Sequence, residues 1–220
     1  MVTDLSDYTA FLEANYFVDA DHEVIRGYAR SNKGPDDSPH AQVRHLYYAI
    51  RDGFYYNPWR VIIKREAFKA SSVLLRNRDE GAHCIDKANL MAACARVLGI
   101  PSRLHFANVR NHIGSESLER QLGTDLLVFH GYVELFLQGG WVAATPAFNV
   151  ELCEHLNVPP LEFDGVHDSI FQEYDRSGGR FMEYVVDHGH FPTIPYDMMV
   201  AAWDEHYPDF ANGWPQKPAK

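Results

Sequence analysis

Among the 3 cysteines and 12 histidines of this 220-residue chain, Cys84 has the position best suited to chemistry. Gly81-Ala82-His83-Cys84 reads as a loop, with glycine loosening the backbone just ahead of the sulfur. Residues 85–98 contain neither Gly nor Pro and are rich in Ala, Leu and Met, which favours helix. Gly99 and Pro101 then stop it. Cys84 is therefore predicted at a helix N-terminus, where the macrodipole and unpaired N–H groups favour an anion. The thiol pKa is expected to fall there, and the same N–H groups can hold the oxyanion formed when sulfur attacks a carbonyl. Cys94, among Ala92, Ala93 and Ala95, fits a small buried hydrophobe instead.

A nucleophilic thiol needs a base within reach. His130 is the best candidate, because it lies mid-strand in LLVFHGYVELFL shortly before a hairpin. An imidazole in so apolar a strand must find a hydrogen-bond partner or be costly to bury. His83, His105 and His112 compete for the role; His83, beside the helix entrance, is expected to be exposed. Taken singly, Cys84 and His130 each fit ordinary packing better than catalysis.

The bulk properties bound the partners. A net charge of −10 argues against nucleic acid or an anionic membrane. No apolar run reaches the length of a membrane span, and residues 1–16 are acidic rather than basic-then-apolar, so no signal peptide is expected. An odd number of cysteines without close pairing suggests reduced thiols in a cytoplasm. No HExxH, CxxC or calcium-loop motif appears, and no cofactor or metal is expected. The length suits one domain, residues 1–220.

The elements that must position these groups follow from periodicity and turn chemistry. Helices are predicted at residues 4–14 (Leu5, Tyr8, Phe11 and Leu12 on one face), 22–31, 40–53 (Val43, Leu46, Tyr47 and Ile50 facing inward) and 67–75. Ser38 and Pro39 are suited to the cap and first turn of the third. Residues 104–109 alternate as a strand, 110–125 read as a long connecting loop with a helical turn, and Leu126–Leu137 is the strongest strand. Gln138-Gly139-Gly140 turns it into a partner strand at 141–145. Further on, residues 155–165 read as loop, 168–175 as a short helix, 180–187 as a strand, Tyr196–His206 as a helix and 212–220 as a tail.

With the elements in place, a family resemblance stands out. Gly81-Ala82-His83-Cys84, Lys87-Ala88-Asn89-Leu90 and Ala95-Arg96-Val97-Leu98-Gly99-Ile100-Pro101-Ser102-Arg103 resemble the cysteine motif of the transglutaminase-like superfamily, G-x-C-x-x-K/E-A followed by R-x-x-G-I-P-A-R. His130-Gly131-Tyr132-Val133-Glu134 resembles its histidine motif. Gly140-Trp141-Val142 resembles the strand ending in its third motif, W-x-x-x-D-P, and Tyr55-Tyr56 its I-x-Y lead-in. The resemblance, of bacterial or archaeal type, covers residues 39–149 and leaves 150–220 as a C-terminal extension.

The resemblance implies an α+β fold, the papain-like transglutaminase core, with N-terminal helices on an antiparallel sheet. It implies Cys84 and His130 as nucleophile and base, with Tyr56 and the Cys84 N–H as oxyanion donors. One departure matters. Where the family pattern has its aspartate, this chain has Thr145, whose hydroxyl can accept a bond from the imidazole but brings no charge. Asn149 is a second candidate for orienting the ring. The implied function is a thiol-dependent hydrolase or acyltransferase acting on an amide or ester carbonyl of a peptide, protein or small amide, through an acyl-thioester. Hydrolysis and transfer both remain open, and no oligomeric state is indicated. Two other classes compete: a catalytically weak or inactive binding module of the same fold, favoured by Thr145, and a zinc site built from Cys84, His130 and His105.

Overall fold

The structure, a computed structural model, describes residues 6–112, 116–171 and 173–215. Its centre is helix α4 (Cys84–Val97), whose residues are buried on every side from Ile85 to Arg96. A helix buried all round has to be enclosed by other elements, which also supply the partners of its buried Asp86, Lys87, Asn89 and Arg96. Helices α1 (Glu23–Asn32), α2 (Pro39–Gly53) and α3 (Ala70–Leu75) pack on one side of it, and an antiparallel sheet closes the other. The mixed α+β architecture expected from the sequence is the one observed.

The sheet has four strands: β1 (Ser102–Asn111), β2 (Leu126–Leu137), β3 (Gly140–Ala144) and β4 (Met182–Phe191), in the order β3-β2-β1-β4. Gln138 and Gly139, at φ 49° and 87°, make the tight β2–β3 turn. Helix α5 (Glu116–Leu122) lies between β1 and β2, where the sequence suggested a loop with a helical turn. Helices α6 (Val150–His155) and α7 (Tyr196–His206) follow β3 and β4. Among the described residues, no helix is long and apolar enough to cross a membrane.

The α2 face is as expected, with Val43, Leu46, Tyr47 and Ile50 all buried. Ser38 occupies the N-cap with Pro39 behind it, although the Ser38 side chain makes no cap bond. Buried Arg96 ties distant parts of the chain together. It donates to Glu13 O (2.7 Å), Ser102 O (2.9 Å) and Pro192 O (2.6 Å).

Four expectations need correction or qualification. The first predicted helix is a 3-10 turn, Ser6–Phe11, and Leu5 lies outside the described residues. The described residues of 168–175 form no helix, because their backbone pairs elsewhere: Ser169 N donates to Ala143 O and Phe181 N to Glu173 O. The strand predicted at 180–187 begins at Met182, runs on to Phe191 and pairs with β1. The tail is partly packed, since Trp214 Nε1 donates to Pro58 O and its ring lies 4.9 Å from Trp203; residues 216–220 lie outside the description.

Candidate active site

Cys84 is the first residue of α4, with His83 at the N-cap. The preceding loop is held by backbone pairing. Ala82 N donates to Tyr55 O and Asn57 N to Ala82 O, so residues 55–57 run beside the approach to Cys84. Gly81 makes this possible: at φ 68°, a Cβ there would sit 2.7 Å from Tyr55 O. The same pairing places the Tyr56 hydroxyl beside the Cys84 sulfur. On the sheet side, the absence of a side chain at Gly131 lets β2 approach α4. Its N–H, with those of Ile85 and Cys84 itself, points to the sulfur. A Cβ on Gly131 would meet Phe106 at 3.0 Å and Ile85 at 3.3 Å.

His130 is aimed by an irregularity in β2. The β1–β2 register slips between Ala107 and Val109, and Phe129 takes φ 61°, unusual for a bulky residue. The distortion is braced from three sides. Phe129 N donates to Asn108 Oδ1 (3.0 Å), and the Phe129 ring stacks on His188 at 4.2 Å. Val128 N donates to the Tyr207 hydroxyl, and Trp203 Nε1 donates to Val128 O, both at 2.8 Å. Asn108, Trp203 and Tyr207 were not singled out from the sequence. Their partners are remote in the chain, and only the run of aromatics from Trp203 to Trp214 hinted at them.

Cys84 and His130 line one cavity of about 40 Å³, together with Tyr56, His83 and Trp203. His130 also lines a second cavity of about 10 Å³ on its other side, which Thr145 borders. His130 Nε2 and Thr145 Oγ1 are buried and have no hydrogen-bond partner among the described residues. Burial alone pushes the His130 imidazole down to about 4.

The thiol differs from expectation. Burial pushes Cys84 up to about 11, outweighing the backbone N–H groups of Gly131 and Ile85, with the Asp86 charge adding to the rise. Helix α4 does present its N–H groups to the sulfur, but desolvation dominates. Cys84 itself is only half-buried, so its sulfur stays open to the cavity while the thiol and the His130 imidazole both favour their neutral forms.

The remaining residues divide clearly. Asn149 is engaged at both ends of its amide: Oδ1 accepts from Tyr56 N (2.9 Å) and Nδ2 donates to Glu151 Oε2 (2.7 Å). Its observed contacts therefore hold Tyr56 rather than His130. His83, expected to be exposed, is buried, and burial lowers its pKa. Its backbone N–H donates to Asp86 Oδ2 (3.3 Å), which Arg76 clamps at 2.5 Å. His105 bonds Asp187 (2.6 Å) and stacks on Tyr132, while His112 sits 3.2 Å from Glu183. Neither lines the Cys84 cavity, and no group of three His, Cys, Asp or Glu among the described residues can hold a metal ion. Fully buried Lys87, one turn beyond Cys84, donates to Arg51 O and Ala147 O, each at 2.8 Å. It joins the end of α2 to the segment after Thr145.

The model of the transglutaminase-like superfamily matches residues 26–146, spanning the cysteine helix, His130 and Thr145. The chain belongs to this superfamily. A candidate cysteine protease from Cytophaga hutchinsonii shares the fold, with a TM-score of 0.51 over 86% of this chain at 16% identity. This chain spans 56% of that protein's length. No curated protein matches the chain. Within the transglutaminase-like fold, the departure at Thr145 takes physical form. Its backbone is fixed by Ser169 O and the Tyr47 hydroxyl, while its side-chain oxygen is left across a small cavity from the imidazole.

Proposed function

We propose that this chain is a cysteine enzyme that forms an acyl-thioester from an amide or ester carbonyl. The observation that carries the reading is that Cys84 and His130, from separate elements, line one cavity with backbone N–H groups directed at the sulfur. With a neutral thiol at rest, sulfur addition and proton transfer go together. His130 takes the Sγ proton as the C–S bond forms. The carbonyl oxygen gains the negative charge, and the Tyr56 hydroxyl and the N–H groups at the start of α4 stabilise it. Collapse breaks the bond to the leaving amine or alcohol, which His130 protonates. Water then releases an acid, or a second amine takes the acyl group, by the reverse proton movements.

A second reading is a binding module of the same fold. It is favoured by the raised thiol, the lowered imidazole and the missing carboxylate at Thr145. The deciding experiment is incubation with p-nitrophenyl acetate, followed by intact-mass analysis. The enzyme reading expects one hydroxylamine-sensitive acetyl adduct, absent in Cys84→Ala and slowed in His130→Ala. No adduct, or an equal adduct in Cys84→Ala, removes it.

A further inference from the structure

Beside the Cys84 cavity lies a larger cleft of about 480 Å³, within the range of about 300–1,000 Å³ common for small-ligand sites. The two share Tyr56, Pro58, Leu118 and Leu127 as walls, so the cleft adjoins the cavity that Cys84 lines. Its remaining apolar wall is Phe148, which packs on Tyr56 just before α6, with Leu152 on that helix and Leu156 just beyond it.

The chemistry of the lining is one-sided. Among the described residues, no Asp, Glu, Lys or Arg borders it, in a chain where 23% of residues are charged. Its polar lining includes Asn111 and the exposed His155, while several of its other polar groups already have partners inside the protein. The Tyr55 hydroxyl donates to Asp79 O, and the Asn57 amide donates to Glu80 O while accepting from Trp59 N. The Tyr56 hydroxyl faces the sulfur. A charged or amide side chain entering this space would give up its water for few compensating bonds, whereas an apolar one would gain by leaving water.

Resting on the thioester reading above, we infer that the cleft binds the acyl part of the substrate and selects a large apolar side chain, leucine- or phenylalanine-like, next to the reactive carbonyl. Glutamine, acidic and basic side chains are disfavoured there.

The test compares p-nitrophenyl esters of N-acetylated Gly, Leu, Phe, Gln, Asp and Lys, with Cys84 acylation read by intact mass. The Leu and Phe esters are expected to acylate at least about tenfold faster than the Gln, Asp and Lys esters, the size of discrimination a hydrophobic pocket gives. Leu156→Glu should narrow the Leu-over-Lys ratio. The Gly ester reports the chemistry without the cleft. If it acylates Cys84 but Leu and Phe gain nothing over Asp and Lys, the inference fails while the thioester reading stands. If no ester acylates, the thioester reading fails, and the cleft is judged by binding alone. N-acetyl-leucinamide and N-acetyl-lysinamide are then titrated into Cys84→Ala by NMR, and equal affinities overturn the inference.

Discussion

His130 and Thr145 line a common cavity of about 10 Å³, and His130 Nε2 and Thr145 Oγ1 are both buried with neither bonded to another described group. An aspartate at position 145 would put a carboxylate where the imidazole now has only a hydroxyl. Thr145→Asp is expected to raise the His130 pKa from about 4 by about 1–3 units and to speed acylation of Cys84. Thr145→Val should leave the imidazole near its present value. An NMR titration of the His130 ring reads the first effect and intact mass the second. An unchanged His130 titration in Thr145→Asp would show that the two side chains do not communicate.

A neutral resting pair has its own pH signature. Cys84 is raised to about 11 and His130 lowered to about 4, so neither ionises between pH 5 and 9. Only the thiolate is alkylated, so iodoacetamide labelling of Cys84 should climb about tenfold per pH unit from pH 7 to 10. A plateau below pH 8 would mean that a thiolate–imidazolium pair exists at rest, contrary to this account.

Tyr56→Phe removes the hydroxyl beside the sulfur and little else. If that hydroxyl steadies the developing oxyanion, kcat for ester turnover should drop by about 10²-fold with KM nearly constant. A KM effect alone would assign the hydroxyl to substrate binding instead.

Lys87 links the site to stability. Burial depresses its pKa from 10.5 to about 7 in the folded chain. The unfolded chain therefore binds more protons at this position above pH 7, and stability should rise with pH there. Between pH 7 and about 8.5, before unfolded thiols ionise, the urea midpoint of the native protein should increase. Lys87→Met should flatten that rise. The variant should also be less stable throughout, because Arg51 O and Ala147 O lose their donor. An equal pH slope in both proteins would show that Lys87 is not the titrating group.

Local signals carried much of the fold. The stretch after Cys84 lacks Gly and Pro, and Leu126–Leu137 alternates, so both elements could be located from sequence alone. What sequence could not supply was long-range. His83 looked exposed beside its helix entrance, yet it is enclosed with Phe68 as a ring neighbour. The helix start alone favours an easily ionised thiol. The cavity around it is completed by Leu118, Trp203, Tyr207 and Trp214, which desolvate it from a distance in sequence. Residues 168–175 carry apolar spacing that suits a helix, but Ala143 and Thr145 recruit Ser169 instead. Asn149 was a reasonable partner for His130 by position; its observed contacts are with Tyr56 and Glu151.

The bonds of Arg96 carry a consequence for synthesis. Its guanidinium needs Glu13 from the start of the chain and Pro192 from close to the end of the described residues. On the ribosome, the helix that begins with Cys84 emerges long before Pro192 does. Until then this cation has an incomplete set of acceptors, so the nascent chain cannot reach its final packing.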